Sequence, residues 1–89
     1  MDARPFKDRT MHFGLSVMDL VESLPRKTIS DILGRQLVRS ATSVGANYRA
    51  ACRAKSSNDF IYKLEVVEEE VDESAYWLEL IDRRSLGKP

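Results

Sequence analysis

Four arginines, Arg35, Arg39, Arg49 and Arg53, are the residues of this sequence whose type and spacing most suggest a binding chemistry. Placed on a helix, they fall within about 40° of one direction, opposite the apolar positions of the same segment. Guanidinium forks grip phosphate oxygens by paired hydrogen bonds. Such a stripe could therefore follow a nucleic-acid backbone. The plainer reading is the solvated side of a helix, which is what a charged stripe usually is.

Catalytic chemistry finds little to work with. The carboxylates Glu68, Glu69, Glu70, Asp72 and Glu73 are nearly consecutive, so on a helix they point in different directions and suit a solvated surface better than an acid–base pair. His12 is the one histidine and Cys52 the one cysteine, which leaves zinc or iron without its usual ligands and excludes an intrachain disulfide framework. There is no glycine-rich phosphate loop, no nucleophile elbow and no Glu-x-x-His pair of a di-iron bundle. The expectation is no catalytic residue, no metal and no cofactor, hence a protein that is not an enzyme.

The elements that would position the arginines can be read from hydrophobic spacing. Eighty-nine residues, 43% hydrophobic and 31% charged, make one domain near the lower size limit for a self-sufficient core. Phe13, Val17, Leu20, Val21 and Leu24 recur four and three apart and predict a helix over about 8–23, with Met11, Leu15 and Met18 widening its apolar side. Leu24-Pro25 ends it. Leu33, Leu37, Ser40, Ala41, Val44, Tyr48 and Ala51 predict a second helix over about 30–53, inside which Gly45 calls for close approach of a neighbour. Ser56 and Asp59 resemble a capping box opening a third helix over about 57–82. Its seam runs Phe60, Leu64, Val67, Val71, Ser74, Leu78, Ile81, interrupted only at Ser74. Gly87 and Pro89 are expected to stop the chain. The fold class is all-α, an antiparallel up-down helical bundle.

A second stripe on the third helix, Tyr62, Val66, Tyr76, Trp77 and Leu80, fits either aromatic packing or a subunit interface, where Tyr and Trp are enriched. Small size favours assembly into a homo-oligomer. Zero net charge hides a partition: residues 26–55 carry seven basic side chains against Asp31, and residues 56–82 carry nine acidic ones against Lys63. Opposite charge favours pairing of those two helices. Gln36, Ser43 and Asn47 sit beside the core side of the second helix and are expected to pair with each other or with a neighbouring helix, the other reading being the lining of a small binding groove. The charged start of the chain has no apolar core of a secretory signal, and no apolar run could span a bilayer, so the expected compartment is the cytoplasm.

Several segments together resemble one family. They are Leu24-Pro25, then Leu33-Gly34-Arg35-Gln36-Leu37-Val38-Arg39-Ser40, then Thr42-Ser43-Val44-Gly45-Ala46-Asn47, then Lys55-Ser56-x-x-Asp59-Phe60-Ile61 and Glu70-x-x-Glu73-x-x-Tyr76-Trp77-Leu78. This order is similar to the four-helix-bundle proteins of the rRNA intervening-sequence family, over about residues 6–82. The resemblance implies a ring-like homopentamer without catalytic activity. Distant relatives are accessory proteins of diversity-generating retroelements that bind a reverse transcriptase and nucleic acid, so RNA, DNA or a protein partner is implied. Arg39, Ser43 and Asn47 match the family's recurring polar positions and Glu73 its acidic one, which implies polar pairing between helices, with Arg39 and Glu73 as an ion pair. The family continues into a fourth helix about where Ser85-Leu86-Gly87-Lys88-Pro89 stands. A short or truncated chain would expose apolar surface on the first and third helices.

Overall fold

A computed structural model describes residues 2–87. They form three helices, α1 (Arg4–Glu22), α2 (Thr28–Cys52) and α3 (Ser57–Arg83), and no strand occurs among the described residues. The all-α expectation holds. Helix α2 is central: α1 and α3 each pack along it, and their backbones do not run against one another. Paired positions descend on one helix as they ascend on the next, Thr10 with Gly45 and Val21 with Gly34, which makes the arrangement antiparallel.

Helix α1 begins four residues before the expected start. Pro5 sits in its first turn, where a missing N–H costs nothing and the fixed φ suits a helix. Phe6 anchors the extension edge-on against Tyr48, with ring centroids 4.6 Å apart. Helix α2 likewise begins two residues early, at Thr28. The start of α3 matches expectation: Ser56 Oγ accepts the Asp59 N–H at 3.1 Å, and the Asp59 carboxylate accepts the Lys55 N–H at 3.2 Å.

The end of α3 differs from the reading that Gly87 and Pro89 stop the chain. Pro89 lies outside the described residues, and the helix has already closed by then. Ser85 takes a left-handed conformation (φ 59°), the Leu86 N–H donates to the Ile81 carbonyl at 3.1 Å and the Ser85 N–H to that of Asp82 at 2.9 Å. This is the Schellman closure, usually built on glycine. Leu86 folds back onto the core. Ser85→Gly should relieve the left-handed strain and raise stability by about 0.5–1 kcal/mol, read as a higher urea midpoint.

Leu37 and Ala41 are fully buried and form the core with Val17, Leu24 and Ile81. Phe13, Leu20, Trp77 and Leu78 close over it from α1 and α3. Gly45 has the expected packing reason: a Cβ there would lie 3.4 Å from Thr10 Oγ1. Gly34, which the sequence did not single out, is tighter still, with Val21 Cγ1 2.9 Å from where its Cβ would be. Large apolar side chains remain uncovered on all three helices: Phe6, Met11, Leu15 and Met18 on α1, Ile29 and Ile32 on α2, and Phe60, Ile61, Tyr62, Val71 and Tyr76 on α3.

Candidate nucleic-acid interface and the polar centre between α2 and α3

The straight apolar seam of α2 turns its opposite side to solvent, and all four arginines are exposed there. They do not share one environment. Arg39 reaches across to α3, where Nη2 donates to Glu73 Oε1 and Nη1 stands 3.5 Å from Glu70 Oε2. Arg49 borders a groove between α1 and α2. Arg53 donates to the Arg49 carbonyl at 3.2 Å. No ion pair engages Arg35, Arg49 or Arg53 among the described residues.

The Arg39–Glu73 pair expected between helices is therefore present, and it remains open to solvent. The Arg39 side chain is 49% exposed and that of Glu73 35%. Trp77 Nε1 also donates to Glu73 Oε1, at 3.2 Å. This explains why Trp77 departs from the stripe assigned to a subunit interface. It is half-buried, packed on the core and tied to Glu73, whereas Tyr62 and Tyr76 stand out in solvent and Val66 and Leu80 are half-buried between. The signal was available, since Glu73 and Trp77 are one helical turn apart.

Ser43 and Asn47 do not pair between helices. Ser43 Oγ donates to the Arg39 carbonyl at 2.7 Å, and Asn47 Nδ2 to the Ser43 carbonyl at 2.8 Å, both within α2. Short polar side chains on a helix readily bond back to the carbonyl four residues earlier, and here that local partner wins. The buried polar link between helices is instead Ser40 with Ser74, Oγ to Oγ at 2.9 Å. Ser74 explains the gap in the α3 seam: it faces another small residue.

Arg39 holds the Glu73 carboxyl below its ordinary range, chiefly by the hydrogen bond, with the Trp77 N–H adding to it. A depressed folded-state value contributes stability at neutral pH that is lost as pH falls through it. Glu73→Gln should therefore flatten the acid side of the stability profile, measured as urea midpoints from neutrality down through pH ~4. Identical acid limbs in both proteins would show that the pair adds nothing.

No group of histidine, cysteine or carboxylate side chains among the described residues could hold a metal ion. No helix among them is long and apolar enough to cross a membrane.

A family model described as 23S rRNA-intervening sequence protein matches residues 6–88. A crystal structure from Bacteroides thetaiotaomicron, of a protein with unknown function from the S23 ribosomal protein family, matches with a TM-score of 0.80 and 38% identity. The match covers 88% of this chain and 72% of that one. No curated protein matches. The matched span takes in α1 from Phe6 onward, the whole of α2 and α3 and the Arg39–Glu73 bridge, and the chain belongs to the 23S rRNA-intervening sequence protein family.

Proposed function

We propose that the protein is a non-enzymatic, oligomeric helical scaffold that binds nucleic acid through the exposed arginines of α2. The observation that carries this reading is that, among the described residues, no carboxylate pairs with Arg35, Arg49 or Arg53, beside an Arg39 that α3 already occupies. Nine acidic residues lie on the neighbouring stretch, and among the described residues their ion pairs with the four arginines are those of Glu70 and Glu73 with Arg39. Cations left free on one side of a rigid helix suit a phosphate backbone. Several copies in one assembly would combine weak contacts by avidity.

Arg35 and Arg53 make the clean test, because Arg49 also borders the α1–α2 groove. Arg35→Gln with Arg53→Gln keeps helix propensity and removes two charges. Fluorescence anisotropy with generic single-stranded and duplex RNA and DNA should show salt-dependent binding by the intact protein. The double variant should weaken it and lower the slope of log affinity against log salt by about two for each subunit engaged. An absence of binding at low salt by the intact assembly would favour a protein-binding module, for which the uncovered apolar side chains of α1 and α3 supply the surface.

A further inference from the structure

We propose that the groove between α1 and α2 receives the outer side of α3 from a second copy of this chain, an inference that rests on the oligomeric reading above. The groove encloses about 360 Å³. Met11, Leu15 and Met18 wall it, each between 41% and 51% exposed, over a floor that includes Gly14 and Gly45. Lys7 and Arg49 stand among its lining residues and make its charge positive.

The outer side of α3 has the complementary character. Tyr62 and Tyr76 are 64% and 55% exposed, and Tyr76 also meets the Trp77 ring edge-on, centroids 5.2 Å apart. Glu65 and Glu69 occupy the exposed helix surface between them, and no ion pair engages either carboxylate among the described residues. Methionine sulfur packs well against aromatic rings. Apolar walls with cations therefore meet apolar rings with anions.

Charge also selects the pairing. Groove on groove would bring Lys7 and Arg49 against their own copies, and α3 on α3 would bring Glu65 and Glu69 against theirs. Only groove on α3 places opposite charges together, whether two copies exchange these contacts or each passes them to the next. The charge partition of the sequence, which among the described residues joins α2 to α3 through Arg39 with Glu70 and Glu73, finds its counterpart between chains.

The test is charge reversal read by sedimentation without nucleic acid, with helix content followed by circular dichroism. Lys7→Glu with Arg49→Glu, and separately Glu65→Lys with Glu69→Lys, should each reduce the assembly to the 10.2 kDa single chain. The chain carrying all four changes should associate again, as should an equimolar mixture of the two double variants. Restored association also shows that the reversed chains fold. Wild-type assembly that survives either reversal, or folded variants whose combination stays apart, would overturn the inference and leave the oligomeric reading standing. A wild-type chain that sediments as a single 10.2 kDa species would overturn both.

Discussion

Leu37→Ala is expected to cost about 2–5 kcal/mol of unfolding free energy, a large part of what a domain of this size has. Leu37 is fully buried on the central helix and packs in the cluster shared by α1 and α3. Truncation there removes apolar area from every helix pair at once. The cavity is hard to collapse, because Ala41 beside it is already small and cannot move inward to fill it. For an 89-residue chain the loss corresponds to a Tm lower by roughly 4–8 °C per kcal/mol. Urea titration should show a lower midpoint with an unchanged slope, at matched protein concentration so that any self-association weighs equally on both proteins. Ile61→Ala, at an exposed position of α3, should stay within about 0.5 kcal/mol. Equal losses at both positions would mean that the core does not lie where Leu37 is.

Gly34→Leu is expected to be comparably damaging, and for the opposite reason. The first carbon of any side chain at Gly34 meets Val21 Cγ1 at 2.9 Å, and valine has no flexible end to swing aside. A leucine adds three further carbons to a space that Val21 already fills. Relief requires α1 to lift away, with a cost of about 1–3 kcal/mol before the core contacts of α1 are counted. Gly14→Ala on the facing helix should do the reverse. Its Cβ would meet Thr42 Cγ2 at 3.8 Å, an ordinary contact, so the gain in helix propensity of up to about 1 kcal/mol is largely kept. Thermal unfolding of the two variants should move in opposite directions. A Gly34→Leu protein as stable as the parent would show that the helices stand further apart than this.

Much of the fold was legible because three long periodic segments carried it, and the breaks at Leu24-Pro25 and Ser56 were chemically explicit. The extra turn of α1 was not, since it depends on Phe6 finding Tyr48 on another helix. The end of α3 escaped for a similar reason. A serine stands where the left-handed turn ordinarily calls for glycine, and the carbonyl bonds that support it involve no side chain. In the candidate site, opposite charge and the family resemblance both pointed to Arg39 with Glu73. Ser43 and Asn47 misled because an isolated polar residue at a core margin reads alike whether it bonds across to a neighbour or back along its own helix. The division of the arginines was invisible in angular terms. One direction on the helix wheel hides the difference between leaning towards α3, as Arg39 does, and leaning over the α1 groove, as Arg49 does.

The Ser40–Ser74 contact acts as a detent. A seam of aliphatic side chains alone would let two long helices slide by a turn at modest cost, exchanging one leucine for another. Here a serine from each seam meets the other at a single height, Oγ to Oγ at 2.9 Å. Moving α3 by one turn would bring Ser40 against Leu78 or Glu70, overfilling one layer and emptying the next. The two rods are therefore locked lengthwise as well as held together. That lock sets the vertical offset between the arginines of α2 and the tyrosines of α3, so whatever meets both surfaces meets a ruler of fixed length.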